Sequence, residues 1–219
     1  MPLLECARCN ALSHSPANGE GFKCALCGAR SARRVDADDP VAVETLPRHP
    51  HAGDHCVAIY EGAEAGAELV APFVEEGIRA GELVALQVDG ALRAELERRL
   101  PHEASSQAWW TDVTQLMRGK LGPEGMAERV RALVRGSRPV RIVGGHYCVP
   151  EQRIDARAIR LYELLVHELV VRHGITALCL YDACACEPSH LGVALETHPL
   201  THREGALRRN PEFVWVAAA

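Results

Sequence analysis

The chain has no apolar run near the ~18 residues that a membrane helix needs. Its opening, Met-Pro-Leu-Leu-Glu-Cys, has neither the basic stretch nor the long apolar stretch of a secretory leader. A membrane helix is excluded, and a cytoplasmic protein with no membrane partner is the expectation. Equally absent are a G-x-S-x-G nucleophile turn and an H-E-x-x-H zinc pair, so two common hydrolase routes lack their residues. Where the first long strand of the main domain turns into a helix, the segment EGAEAGAELV supplies Gly62 and Gly66. It has no lysine to neutralise a terminal phosphate and no serine or threonine to hold magnesium. Glu61 and Glu64 would repel phosphate there, and ATP hydrolysis is not expected.

Cysteine, by contrast, is abundant, with nine in 219 residues. Cys6 and Cys9 form one C-x2-C pair, and Cys24 and Cys27 form another after a gap of 14 residues. Each pair turns two thiolates toward one point, and two such knuckles complete the tetrahedron that Zn2+ prefers. Gly28 allows the backbone amides after the second pair to turn toward the sulfurs. Residues 1–34 carry few large apolar side chains, so metal binding must supply the folding free energy of this ribbon. A four-thiolate site leaves no open position for water, which makes its Zn2+ structural rather than catalytic.

The formal charge of −5 is unevenly placed. Arg8, Lys23, Arg30, Arg33 and Arg34 against two acidic residues give the first 34 residues +3, leaving −8 for the rest. An acidic body is a poor nucleic-acid surface. DNA contact could come only through the ribbon, whose arginines equally suit a solvated or protein-binding face. With 47% hydrophobic and 24% charged residues the chain as a whole reads as a soluble globular protein.

Residues 35–53, with three prolines, several acids and no sustained period, read as a linker between a ribbon at 1–34 and a domain at 54–219. In that domain, strands are expected at His55–Tyr60, Leu83–Val88, Ala108–Val113, Val140–Tyr147 and Thr176–Tyr181. Helices are expected at Glu64–Ala80, Ala91–Leu100, Gly125–Gly136, Glu151–His173 and Pro188–Thr197. Such alternation implies right-handed crossovers and a parallel sheet sandwiched by helices, an α/β fold. In the long helix, Ile154, Ala158, Leu161, Leu165 and Leu169 are expected to form the stripe against the sheet, between Pro150 and Gly174. Glu163 and His167, four apart, read first as a helix-surface pair and second as a ligand contact.

Functional groups of open parallel sheets gather beyond the carboxyl ends of the strands. Those ends carry Tyr60 and Glu61, then His146 and Cys148, then Tyr181 and Asp182, with Cys184 and Cys186 following. With Glu163 added, Tyr60, Glu61, His146, Cys148, Tyr181 and Asp182 are the candidates for a ligand pocket. Tyr and Asp would orient a polar group, while His146 and Cys148 would supply a metal-binding or nucleophilic contact.

Two segments carry a family resemblance. GDHCVAIYEGAEAGAELVAPFVEEGIRAGELVALQV, with His55, Tyr60, Phe73, Gly77 and Gly81-Glu82, resembles the opening of the MEDS domain, the sensory domain of methanogen and methylotroph regulators including the dichloromethane-responsive repressor. LCLYDACACEPSHLGVALETHPLTHREGALRRNPEF, with Tyr181-Asp182, His198-Pro199, Gly205 and Asn210-Pro211, resembles its close. The resemblance covers roughly residues 52–216. It implies a RecA-like fold that has lost nucleotide hydrolysis and senses small hydrocarbon derivatives in signal transduction or transcription control. Two departures stand out. The family usually has an acidic residue after the glycine where this chain has Gly145-His146-Tyr147-Cys148, and the companion module is a zinc ribbon rather than a helix-turn-helix or a kinase. Output is therefore expected through the ribbon or a protein partner.

Outside the ribbon, Cys179 reads as a small core side chain. Cys148, Cys184 and Cys186, with His146 and His190, leave open a second metal site, a reactive thiol or a redox switch, against incidental loop cysteines. His55 and His198 read as pocket-lining or loop-holding residues, His198 capping the last helix. The leading expectation is a non-enzymatic sensory protein with one structural Zn2+ and a small organic ligand. The alternatives are a metal- or thiol-dependent enzyme or redox or metal sensor using Cys148, His146, Cys184 and Cys186, and a zinc-ribbon adaptor.

Overall fold

Near the amino terminus three short strands, β1 (Leu3–Cys6), β2 (Leu12–His14) and β3 (Ala32–Val35), pair antiparallel in the order β2-β1-β3. The computed structural model describes residues 3–6, 12–14, 30, 32–35, 50, 52–112, 123–136, 138–145, 155–203, 206–210 and 212–213. Cys9, Cys24, Cys27 and the Cys6 side chain lie outside the described residues, as do His146 and Cys148.

The main domain is built on β4 (His55–Tyr60), α1 (Gly62–Arg79), β5 (Leu83–Val88), α2 (Gly90–Arg99), α3 (His102–Gln107) and β6 (Trp109–Asp112). After these come α4 (Pro123–Leu133), β7 (Val140–Gly144), α5 (Ala156–His173), β8 (Thr176–Asp182), α6 (Pro188–Thr197), β9 (Leu200–Arg203) and β10 (Ala206–Arg209). Seven strands pair in the order β10-β9-β4-β8-β7-β5-β6. All neighbours are parallel except β9 and β10, which form an antiparallel edge. This is the α/β arrangement expected, a mostly parallel sheet flanked by helices, with α3, β9 and β10 added to the elements read from the sequence.

Side chains alternate across the sheet with the two-residue period of a strand. Cys56, Ala58 and Tyr60 of β4, with Leu178 and Leu180 of β8, pack under α1 and α2. Val57 of β4, with Ala177, Cys179 and Tyr181 of β8, packs under α4, α5 and α6. The central strands are therefore buried on both faces, which is why they read as nearly continuous apolar runs. Each fully buried Leu or Ile in these layers stabilises the fold by roughly 1.5–3 kcal/mol.

The long helix departs from its expected placement in two ways. It begins at Ala156 with Asp155 as N-cap, its carboxylate accepting from Arg157 N at 3.0 Å, rather than at Glu151. It ends as expected at Gly174, whose φ of +64° is the left-handed cap conformation that glycine adopts freely. The buried face is Ile159, Tyr162, Glu163, Val166, His167, Leu169 and Val170, not the stripe that included Leu161, which is 51% exposed. The inward face is offset from that stripe because it contains polar residues. Glu163 and His167 are thus fully buried, and the helix-surface reading of that pair is corrected.

Candidate functional site

At the carboxyl ends of β4 and β8 the chain fills its own anion cradle. The first amides of a helix, reinforced by its dipole, form a site for phosphate or carboxylate. At α1 that place is taken by Asp182, whose Oδ1 accepts from Gly62 N at 3.1 Å and from Cys184 N at 2.9 Å. Ala183 N donates to Tyr60 O at 2.7 Å, pinning the two strand ends together. The Tyr60 ring lies against α1 so closely that a Cβ on Gly66 would stand 2.6 Å from it. Burial first, then the charges of Asp182 and Asp89, push the Tyr60 phenol above its ordinary value, so it stays protonated. Glu61 is exposed and makes no side-chain cap.

A second group of polar residues lies in the opposite layer, between the sheet and helices α5 and α6. His55 is the first residue of β4, Cys179 lies in mid-β8, Glu163 projects from α5, and His198 caps α6. All four are buried, and one ligating atom from each lies within 4.8 Å of the others. His55 Nε2 is 3.4 Å from Glu163 Oε2 and 3.4 Å from Cys179 Sγ. His198 Nε2 is 3.4 Å from the same Glu163 oxygen, and Cys179 Sγ donates to it at 3.5 Å. The other carboxylate oxygen, Oε1, accepts from Tyr181 OH at 2.6 Å, which fixes the carboxylate plane.

The imidazole of His198 has a defined tautomer. A carbonyl oxygen can only accept, so the 2.7 Å contact of Nδ1 with Ala194 O requires the proton on Nδ1. Thr197 Oγ1, 3.2 Å from the same nitrogen, donates its own proton to Val193 O at 2.7 Å. His198 thereby closes the end of α6 as expected, and its Nε2 faces the cluster, 3.4 Å from Glu163 Oε2. Neither His198 Nε2 nor His55 Nδ1 makes a hydrogen bond, and both are wholly buried. The rings of His55 and His198 lie 4.0 Å apart, with His167 at 5.4 Å from His55.

Burial, then the neighbouring His198 charge, lowers His55 from 6.5 to about 4 despite the opposing pull of Glu163, so it is neutral at physiological pH. Burial and the two histidines' charges likewise hold His167 low, against Glu163. For Glu163, burial acts upward, but its ion pairing with His198 and then His55 outweighs it and holds the carboxyl below the ordinary range. Burial and the Glu163 charge push the Cys179 thiol and the Tyr181 phenol upward. The cluster therefore contains one carboxylate, at least one neutral imidazole and a protonated thiol.

Of the seven residues proposed for one pocket, the five that are described do not share one. Glu163 and Tyr181 meet in the α5–α6 layer, Tyr60 faces the α1–α2 layer, and Glu61 and Asp182 stand at the rim. His146 and Cys148 lie outside the described residues. Cys184 is free and exposed, while Cys186 is disulfide-bonded and His190 is buried on α6. In this state Cys186 has no thiolate to give a metal. His55, Cys179 and His198, set aside as loop-holding or core residues, are the ones that join Glu163. Their sequence signal was parity: His55 and Cys179 occupy strand positions that point into the same layer as Tyr181.

Fold and geometry together define an α/β domain with a mostly parallel sheet, in which the Asp182 carboxylate holds the first amide of α1. The model of the MEDS family, the methanogen/methylotroph, DcmR sensory domain, matches residues 54–199, and the chain belongs to that family. His55, Glu163, Cys179 and His198 all fall inside the match. No curated protein matches the chain. Among solved structures it is similar to one described as the crystal structure of the RadB recombinase, with 15% identity and a TM-score of 0.44 over 69% of this chain and 74% of that one. Among the described residues, no helix is long and apolar enough to cross a membrane.

Proposed function

We propose that this protein is a cytoplasmic sensor in signal transduction or transcription control. Its MEDS domain binds a small organic molecule, a hydrocarbon derivative, and neither hydrolyses nucleotide nor acts as an enzyme. A structural zinc ribbon held by Cys6, Cys9, Cys24 and Cys27 links it to a protein partner. The observation that supports this reading is the Asp182 carboxylate on Gly62 N, 3.1 Å away. A phosphate approaching those amides would meet a fixed negative charge, with Glu61 and Glu64 beside it, so the ancestral-type ligand position repels its ligand. The ligand must also favour one conformation over another, since equal affinity for both states transmits nothing.

Thermal unfolding of the full chain in the presence of Mg·ATP, dichloromethane or short-chain alcohols tests this. The expected result is no shift and no phosphate release with Mg·ATP, and a concentration-dependent upward shift with at least one of the organic probes. Stabilisation by Mg·ATP, or ATP turnover, contradicts it.

A further inference from the structure

We propose that His55, Glu163, Cys179 and His198 form a closed four-ligand site for one divalent ion of the zinc class, separate from the ribbon cysteines and independent of the small-molecule reading above. The spacing of the donors carries the proposal. A tetrahedral ion with bonds of about 2.0–2.3 Å sets its ligand atoms roughly 3.3–3.7 Å apart. Four of the six separations are 3.4, 3.4, 3.4 and 3.5 Å, and the other two are within 4.8 Å. Two imidazole nitrogens, a carboxylate oxygen and a sulfur thus stand at close to the spacing of one tetrahedral ligand set.

The surroundings are those a metal site requires. His198 donates its other ring proton to Ala194 O, which orients the ring and leaves Nε2 for an ion. Tyr181 holds Glu163 by Oε1, leaving Oε2 for the centre. His198 Nε2, wholly buried and without a hydrogen bond, points at that centre. Leaving a buried polar atom unsatisfied costs roughly 1–3 kcal/mol, which a coordinate bond would remove. Charge also balances: a divalent cation, the Glu163 carboxylate and a Cys179 thiolate sum to zero with two neutral imidazoles. Binding releases the Cys179 Sγ proton as the metal–sulfur bond forms, together with any proton on the imidazole nitrogens that ligate the ion. Mixed nitrogen, oxygen and sulfur donors in a tetrahedral frame suit Zn2+ or Co2+ rather than Mg2+ or Ca2+, which prefer oxygen. With four protein ligands the ion has no open position, so it braces β4, β8, α5 and α6 together rather than activating water.

The test uses the full chain with Cys6, Cys9, Cys24 and Cys27 replaced by serine, titrated anaerobically with Co2+. The expected spectrum has the strong visible bands of tetrahedral cobalt and a thiolate-to-metal band in the near ultraviolet, saturates at one ion per chain and is displaced by Zn2+. Cys179→Ser removes the near-ultraviolet band. Should that variant fail to fold by circular dichroism, His198→Gln, which keeps every remaining thiol, decides instead through a fall in Co2+ affinity of about tenfold or more. The weak spectrum of six-coordinate aqueous cobalt in the parent overturns the proposal. So does a near-ultraviolet band that survives in folded Cys179→Ser, or an unchanged affinity in His198→Gln.

Discussion

Two buried polar clusters occupy opposite faces of the same sheet and solve the problem of buried charge differently. On the α1 face, Arg141 is 3% exposed and each nitrogen of its guanidinium has a partner. Glu82 takes Nε and Nη2, Glu76 accepts from Nη1 at 3.2 Å, Phe73 O accepts at 3.0 Å, and the Phe73 ring lies 4.5 Å from the guanidinium carbon. Cation and anions are both supplied by the chain, and the carboxylates keep partial contact with water, which lowers their desolvation cost. On the α5–α6 face, Glu163 pairs with histidines instead, and the electron-pair donors of His55, His198 and Cys179 converge on it. The first cluster is complementary within itself; the second is complementary to a cation. The two differ in the depth of their carboxylates and in the direction of their donors and acceptors, with Glu163 wholly buried where Glu76 and Glu82 reach water.

The largest effect expected is on the first cluster. Arg141→Ala leaves the Phe73 carbonyl and the Glu76 and Glu82 carboxylates without their cation, and should cost about 3–5 kcal/mol in urea unfolding, equally with zinc or with a chelator. An Arg141→Ala chain whose loss of stability depended on zinc would erase the contrast between the faces.

Acid should act on the second cluster. The unfolded chain takes a proton on His55 near 6.5, while the folded chain resists it down to about 4. The unfolded state thus binds more protons in that window, so stability is full above 6.5 and falls as the pH drops toward 4, by on the order of 3 kcal/mol. Glu163, held low in the fold, extends the loss below its own unfolded value. Chelator-treated His55→Gln should lose most of the slope between pH 6.5 and 4, as read by unfolding at successive pH values.

A smaller effect separates ligands from the group that orients them. Tyr181→Phe frees Glu163 Oε1 from its 2.6 Å hydrogen bond and should lower zinc affinity about 10- to 100-fold without changing the stoichiometry. A competition titration reads this directly; loss of the ion altogether would make Tyr181 a ligand. Smallest of all, Leu161→Ala should change stability by no more than about 0.5 kcal/mol, because the side chain is half exposed. A loss of about 2–5 kcal/mol would restore the stripe expected from the sequence.

The framework was largely readable without coordinates. β4, β5 and α6 begin and end at the residues expected from alternation and from proline and glycine punctuation. The short helix α3 and the edge pair β9–β10 were not anticipated. α3 is only six residues long, HEASSQ, and β9 and β10 only four each, too short for periodicity to register. The degenerate phosphate loop was legible as chemistry, since it lacked lysine and carried acids, but not that Asp182, 120 residues on, closes it.

The buried cluster was hidden for a different reason. Its members come from four elements, with 124 residues between His55 and Cys179, and no local spacing ties them together. Glu163 and His167 at four-residue spacing look the same on an exposed face as on a buried one. Polar residues were read as outward by default, which turned the helix the wrong way and concealed Glu163. A strand such as β8, in which Cys179 and Tyr181 alternate with leucines, indicates which face carries chemistry only once the sheet order is known.

Urea unfolding of the full chain lacking the four ribbon cysteines, in buffered free Zn2+ and in chelator, tests the second cluster most directly. If His55, Glu163, Cys179 and His198 hold the ion, free zinc at about 100 times its dissociation constant raises stability by roughly 2.7 kcal/mol, and folded Cys179→Ser shows no such rise. Identical stability with and without zinc in the parent would contradict it.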